Sequence, residues 1–192
     1  DDVPRHQFVP SGVQHRAYED APLPIGFGQT ISQPMVHAYY LQLIKFSGDE
    51  KVLEIGTGCG YQAAVLSQVA SEVYSIERLR GLHERAQANI RGLRIPNLPL
   101  LFGDGMAGFA QGAPYAGIIA AAGGEAEPDL ERIGHERHRA EPSAEPLQHG
   151  LEHACENPER VDLPLEPLRF FPERRGRPGA ERVAVETERQ IV

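Results

Sequence analysis

The sequence has 192 residues, with 27 Asp and Glu against 19 Lys and Arg, and a formal net charge of −8 at pH 7. This length permits one α/β domain with a sizeable core but not two full domains, and the negative charge argues against binding to nucleic acid or to an anionic membrane. The two cysteines and the lack of a long apolar run predict neither a disulfide framework nor a membrane span, and we expect a cytoplasmic protein.

The segment before the first predicted helix is rich in turn residues. Residues 16–28, RAYEDAPLPIGFG, contain two prolines that stiffen the backbone and glycines that can adopt positive φ, so we expect a loop. GQTISQP follows and leads into an amphipathic helix with Pro34 in its first turn and apolar residues at helical spacing. Without a ligand, Ser32 is interpreted as the cap of this helix and His37 as an exposed helical residue.

The strongest pattern in the chain is KVLEIGTGCGYQAAVL, residues 51–66. Val52, Leu53 and Ile55 predict a buried parallel strand, and residues 61–69 predict a helix. Between them, Gly56, Gly58 and Gly60 permit a sharp turn and leave no Cβ between the backbone and a ligand. The sequence therefore predicts a strand, a ligand-binding turn and a helix.

The spacing of these glycines indicates which kind of nucleotide is bound. A dinucleotide site uses G-x-G-x-x-G, whereas this loop reads G-x-G-x-G and follows Glu54. Glu77 ends the next apolar run, where an acid can accept both hydroxyls of a ribose. The pattern favours a cofactor with a ribose and no pyrophosphate, and an NAD site is the weaker alternative.

The next elements continue the alternation of helices and strands. Residues 79–93 predict a surface helix, residues 98–102 a third strand, and residues 113–120 a fourth. Asp104 lies between two glycines directly after the third strand, a position that is also common for a plain turn aspartate.

Three segments together resemble the protein-L-isoaspartate O-methyltransferase family: RAYEDAPLPIGFGQTISQP, KVLEIGTGCGYQAAVL and VYSIER, with the lead-in VPRH-x-FVP. The resemblance covers residues 3–122, and ISQP is typical of this family rather than of methyltransferases in general. It implies an α/β fold, the Rossmann-like class I methyltransferase sheet with helices on both faces. Because the chain starts abruptly at this lead-in, we expect an N-terminal helix of the family to be missing.

The resemblance also implies an activity and its partners. The family transfers a methyl group from S-adenosylmethionine to the α-carboxylate of L-isoaspartyl residues in damaged proteins, which begins their repair, and releases S-adenosylhomocysteine. We expect a monomer that uses no metal. A class I methyltransferase acting on a small molecule and a non-catalytic remnant of the family are the alternatives.

The site residues follow from the same resemblance. Ser32 occupies the position of the family's active-site serine and would orient the substrate carboxylate. Asp104 would bind the adenine amine, with Gly105 leaving room for the base. The other expected cofactor-binding residues are Gln29, Thr30, Ile31, Ser32, His37, Glu54, Gly56, Gly58, Gly60, Glu77 and Arg78.

The composition changes abruptly after the fourth strand. Residues 123–192 are dominated by Glu, Arg, Pro, Gly and Ala and contain no lysine, so this segment cannot bury enough apolar surface to offset its ordering entropy. Only residues 163–171 and 181–192 could form strands. We therefore expect a methyltransferase domain over residues 1–122 and a divergent tail over residues 123–192 that is disordered or translated from a shifted reading frame.

Overall fold

The computed structural model describes residues 2–44, 46–122 and 182–185. Seven strands and three α-helices are found in these ranges, joined by short 3-10 turns. The strands are β1 (Leu23–Gly26), β2 (Gln29–Ile31), β3 (Lys51–Ile55), β4 (Glu72–Glu77), β5 (Leu100–Phe102), β6 (Gly117–Ala120) and β7 (Arg182–Val185). The helices are α1 (Pro34–Ile44), α2 (Tyr61–Leu66) and α3 (Arg80–Arg91).

The main sheet is parallel and has the order β5-β4-β3-β6-β7. All four residues of β6 are buried, as are the last four of β3, because both faces of a parallel sheet are covered. The predicted α/β fold is confirmed. Since β4 and β5 lie on one side of β3, and β6 and β7 on the other, the order of the strands reverses at β3, which leaves a crevice at the carboxyl ends of these strands.

Two hydrophobic clusters cover the sheet. The larger contains Val52, Val73 and Ile119 of the sheet with residues from all three helices, and it also takes in Phe8 and Val9 of the N-terminal segment. The smaller contains Leu53, Ile55, Ile76 and Ile118 on the opposite face, packed with Tyr115. Alternate residues of β3 therefore support opposite layers, as the two-residue period of a strand requires.

The loop predicted over residues 16–28 is partly wrong, because it contains β1. This strand pairs antiparallel with β2, with an irregular register between Pro24 and Gly26. Leu23 and Ile25 are 0% and 1% exposed, whereas the residues between and after them face solvent. The apolar alternation was present in the sequence, but the prolines concealed it; they are tolerated here because the strand lies at the edge of a two-stranded sheet.

The helices begin close to the predicted positions, but one cap differs from the expectation. The first-turn amide of Met35 donates to Asp20 Oδ1 at 2.9 Å, a role that the sequence interpretation gave to Ser32. Helix α2 ends at Leu66, three residues before the predicted end, and α3 is shorter than predicted at both ends. Along the described part of the chain, the helices are too short or too polar to cross a bilayer.

The boundary predicted after residue 122 separates β7 from the sheet that it joins. Strand β7 lies within the predicted stretch 181–192 and pairs in parallel with β6, from Gly117 with Arg182 to Ala120 with Val185. This pairing covers the edge that β6 would otherwise leave open. The predicted stretch 163–171 and the rest of residues 123–192 lie outside the described residues.

Candidate cofactor and substrate site

A pocket lies at the carboxyl end of β3, where the order of the strands in the sheet reverses. One wall is the glycine loop with the first turn of α2, the opposite wall is β2 with α1, and the end of β6 contributes a third side. The lining residues are Ile25, Thr30, Ile31, Ser32, His37, Gly56, Thr57, Gly58, Cys59, Tyr61, Gln62 and Ala121. The pocket therefore brings together two segments that the sequence predicted separately, GQTIS and GTGCG.

The glycine loop owes its composition to backbone geometry and protein packing. Gly56, Gly58 and Gly60 have φ values of +94°, +56° and +88°, which side-chain-bearing residues rarely adopt. A Cβ on Gly56 would lie 2.7 Å from the Cβ of Ala122, and one on Gly60 would lie 3.0 Å from Ile90. The missing Cβ atoms of these two glycines thus make room for protein rather than for a ligand, which corrects the predicted reason for them.

Glu77 connects the loop to β4. Its carboxylate accepts the amide of Gly58 at 2.8 Å through Oε2 and the amide of Leu79 at 2.8 Å through Oε1, and it is 5% exposed. Both contacts are charge-assisted hydrogen bonds, so the carboxylate stabilises the turn of the loop. Each oxygen retains a second lone pair, which leaves capacity to accept a ligand hydroxyl.

Glu54 lies beneath the loop and does not line the pocket. It is fully buried and accepts the hydroxyl of Ser75 through Oε2, and Oε1 has no partner within the described ranges. Ser75 Oγ in turn lies 2.6 Å from Thr57 Oγ1, which does line the pocket. Burial raises the pKa of Glu54 to about 8, and the nearby Glu77 adds to the rise against the opposing Ser75 hydrogen bond. The structure therefore places this predicted cofactor residue one layer behind the site.

We expect the variant Glu54→Gln to change how stability depends on pH. Because the folded-state pKa of Glu54 is raised from 4.5 to about 8, the folded protein binds more protons than the unfolded chain in this range, and stability falls as pH rises through it. Glutamine removes this effect, so the unfolding free energy of the variant relative to the parent should rise by up to about 1.4 kcal/mol per pH unit. Urea denaturation of both proteins at pH 5, 6, 7 and 8 measures the difference; a pH-independent difference would contradict the assignment.

Ser32 and His37 line the pocket from the opposite side, at 8% and 7% exposure. The ligand-free interpretation of His37 as an exposed residue is therefore wrong. Both residues are held by Arg5, a 1%-exposed side chain whose Nη2 donates to the carbonyl of Ser32 at 2.5 Å and whose Nε donates to the carbonyl of Ala17 at 2.8 Å. Its guanidinium also lies 4.8 Å from the centre of the Tyr61 ring.

Burial and the charge of Arg5 keep the ring of His37 neutral. Burial, with the added effect of the Arg5 charge, lowers the pKa of His37 to about 3, against an opposing hydrogen bond with the backbone of Gln33. Arg5 Nη1 lies 3.5 Å from His37 Nδ1, and because a guanidinium only donates, this contact is a hydrogen bond in the tautomer that carries its proton on Nε2. His37 is therefore neutral at physiological pH, with one ring N–H as a donor.

The remaining predicted residues are divided between the pocket and its surroundings. Thr30 and Ile31 line the pocket, whereas Gln29, Arg78 and Asp104 do not. Asp104 is exposed and accepts the amide of Met106 at 3.0 Å, as the turn-aspartate interpretation predicts. A Cβ on Gly105 would lie 2.3 Å from Ile55 Cγ2, so packing against β3 requires this glycine. Within residues 2–44 and 46–122, no group of three side chains could hold a metal ion.

Sequence reasoning missed several residues of the site. Arg5 was part of the lead-in motif VPRH, but nothing in its spacing indicates a contact with residues far along the chain. Gln62 stands in the first turn of α2 and is 8% exposed, an unusual environment for an amide. Cys59 is 2% exposed, and burial raises the pKa of its thiol to about 11, so it is an inert packing residue.

The crevice where the strand order reverses, the glycine loop and the acid at the end of β4 define a class I methyltransferase fold. A family model for protein-L-isoaspartate(D-aspartate) O-methyltransferase matches residues 1–130. The chain belongs to this family, and the predicted resemblance is confirmed.

Individual relatives agree with this assignment. Protein-L-isoaspartate O-methyltransferase 2 of Cupriavidus necator is 60% identical over 132 residues, covering 66% of this chain and 43% of that protein. Protein-L-isoaspartate O-methyltransferase of Ralstonia nicotianae is 55% identical over 136 residues, covering 64% and 42%. A solved structure of a protein-L-isoaspartate O-methyltransferase superposes with a TM-score of 0.59 at 34% identity, covering 63% of this chain and 41% of that one. The chain thus spans less than half the length of the relatives that it matches.

The family's chemistry depends on S-adenosylmethionine, and the residues present are compatible with this cofactor. Glu77 retains acceptor capacity beside the glycine loop, where a ribose is expected. The buried amide of Gln62 has no partner for either polar atom among the described residues, so it offers a donor and an acceptor to a zwitterionic group.

Proposed function

We propose that this protein methylates L-isoaspartyl residues of damaged proteins, using S-adenosylmethionine as the methyl donor. The observation that carries the proposal is the pocket itself, in which GQTIS of β2 lies opposite the glycine loop. Methyl transfer needs the acceptor and the cofactor side by side, and the two segments that the resemblance assigns to them line one pocket. The chain spans 43% of the C. necator relative, so similarity alone does not assign the activity of that protein to this chain.

The residues of the pocket suit a reaction that needs no strong base. S-adenosylmethionine supplies an electrophilic methyl group on a sulfonium, and a substrate carboxylate with a pKa of about 4 is already ionised at neutral pH. Burial keeps the proton on Cys59, so no thiolate competes with the carboxylate for the methyl group.

The task of the protein is therefore alignment and exclusion of water. Ser32 and His37 line the pocket and would donate hydrogen bonds to the substrate carboxylate, and the Arg5 guanidinium behind them favours an anion in the pocket. Within the described residues no carboxylate forms an ion pair with Arg5, so its charge is not neutralised locally. Holding two reactants in line can contribute on the order of 7–11 kcal/mol to catalysis in favourable cases.

Ser32→Ala should lower turnover by about tenfold to 100-fold, because it removes one donor to the reacting carboxylate. Cofactor affinity should stay within about twofold, since the alanine keeps the backbone carbonyl that binds Arg5. Steady-state kinetics with an isoaspartyl peptide, beside titration with S-adenosylhomocysteine, separate the two effects. Ser11→Ala, which changes an exposed serine, is the matched control; unchanged turnover in Ser32→Ala would remove the orienting role.

The proposed function is tested by methylation of an isoaspartyl peptide beside the same peptide with an ordinary aspartate. We expect methyl transfer to the isoaspartyl peptide alone. Binding of S-adenosylhomocysteine without methylation of either peptide would favour a small-molecule acceptor, and absence of binding would identify a non-catalytic remnant. We further propose that Gln29, Arg78, Asp104 and Gly105 contact the cofactor from outside the described pocket, and that the protein acts as a cytoplasmic monomer.

A further inference from the structure

Gln62 is a buried amide, and among the described residues its side chain has no hydrogen-bond partner. It is 8% exposed, and both Oε1 and Nε2 are unpaired within that part of the chain. Burying an amide in this way costs free energy, because its hydrogen bonds to water are not replaced. A small apolar residue would pack in the same position without this cost, so the amide calls for a functional explanation.

The position of Gln62 limits the group that it can meet. It lines the same pocket as the glycine loop, opposite Ser32 and His37. In the proposed cofactor site Glu77 would bind the ribose, and Asp104 and Gly105 the adenine, and none of the three lines this pocket. The part of a bound cofactor that reaches Gln62 must then be the end remote from the base.

The hydrogen-bonding atoms of the Gln62 amide further limit which ligand group it can bind. Gln62 presents one acceptor, Oε1, and one donor group, Nε2. An α-ammonium requires an acceptor and an α-carboxylate requires a donor, and a free amino acid carries both on one carbon. An isolated carboxylate, such as that of an isoaspartyl residue, would satisfy Nε2 and leave Oε1 unpaired.

We propose that Gln62 binds the amino-acid end of the cofactor through both atoms of its amide. This inference rests on the proposed function, because it requires that the pocket accept S-adenosylmethionine. It makes Gln62 a cofactor-specificity residue, which distinguishes S-adenosylmethionine and its homocysteine product from nucleosides that lack an amino-acid end. The side chain is kept at a cost in stability for the sake of binding.

The test compares Gln62→Met with the parent in calorimetric titrations of two ligands. S-adenosylhomocysteine has the amino-acid end, and 5′-methylthioadenosine lacks it. We expect the variant to bind S-adenosylhomocysteine about tenfold or more weakly, because it loses hydrogen bonds to charged groups, and to bind 5′-methylthioadenosine within about twofold. Thermal unfolding of the variant should occur at the same or a higher temperature, since methionine removes two unsatisfied polar atoms.

Gln87→Met is the matched control, because Gln87 is exposed on α3. Equal loss of both ligands in Gln62→Met would indicate a structural role and overturn the inference. Unchanged affinity for S-adenosylhomocysteine with a raised KM for an isoaspartyl peptide would assign Gln62 to the acceptor and overturn it as well. If the parent protein binds neither ligand, the proposed function fails together with the inference, whereas binding by parent and variant alike contradicts the inference alone.

Discussion

Glu77→Ala should weaken the binding of S-adenosylhomocysteine by about 100-fold or more. The substitution removes the proposed acceptor for a ribose, together with two charge-assisted hydrogen bonds, each 2.8 Å long, from the amides of Gly58 and Leu79. A hydrogen bond to a charged group contributes about 1.5–3 kcal/mol, so the loss of two bonds from ribose hydroxyls accounts for a change of this size. The unpaired amide of Gly58 would also release the glycine loop from β4, and we expect a lower unfolding temperature.

Glu84→Ala is the control for this variant, because Glu84 is an exposed acid on α3 and its removal changes the net charge equally. Glu77→Gln keeps one acceptor oxygen but turns an NH2 group toward the second amide, so an intermediate loss is expected. Calorimetric titration of the four proteins gives the affinities. Binding by Glu77→Ala within about threefold of the parent would show that the carboxylate is not part of the cofactor site.

Arg5→Met should lower the unfolding free energy by about 3 kcal/mol. Methionine retains an apolar stem but leaves the carbonyls of Ala17 and Ser32 without the donors that lie 2.8 Å and 2.5 Å away. The variant should also raise the pKa of His37, because the Arg5 charge is one cause of its low value; burial, the larger cause, remains. Because methionine keeps part of the packing of Arg5 but not its charge, the variant distinguishes the effect of the charge from that of the packing.

The sign of the pH dependence provides a second measurement for Arg5→Met. In the parent the pKa of His37 is lowered from 6.5 to about 3, so the folded state binds fewer protons and stability falls as pH decreases below 6.5. In the variant, the loss of stability below pH 6.5 should be smaller. Urea denaturation at pH 4–7 measures this loss, and NMR titration of the His37 ring measures its pKa. Arg91→Met, at an exposed position of α3, is the control. An identical pH profile in Arg5→Met and the parent would contradict the coupling.

The elements that could be predicted are those with a strong local pattern. The apolar run that ends at Gly56 predicted β3, and the run that ends at Glu77 predicted β4, because strands buried on both faces are continuously apolar. The hairpin of β1 and β2 was missed, since its stability comes from burying Leu23 and Ile25 under the rest of the chain and not from local propensity. The sequence offered two possible strand segments after residue 122. Strand β7 lies in the second of them and pairs with β6.

The candidate site shows the same division at the level of side chains. Ser32 was predicted by resemblance and Glu77 from its position at the end of an apolar run, and both lie at the end of the sheet where a ligand is expected. Glu54 belongs to the same motif, but its carboxyl turns into the layer beneath the loop and binds Ser75, 21 residues away. Position within a motif therefore did not distinguish a residue that lines the pocket from one that supports the loop.

By itself, the sequence determined the parallel strands, the glycine turn and the family, because each is encoded in neighbouring residues through strand period, positive φ or a contiguous motif. Only the tertiary structure decided that Arg5 holds Ser32 and His37, that His37 is buried and neutral, and that Gln62 faces the pocket with no partner in the described part of the chain. These features depend on contacts between residues 27 and 32 positions apart and on the solvent that packing excludes. Distance in space and burial arise only when the layers of the fold come together, so no local pattern could specify them.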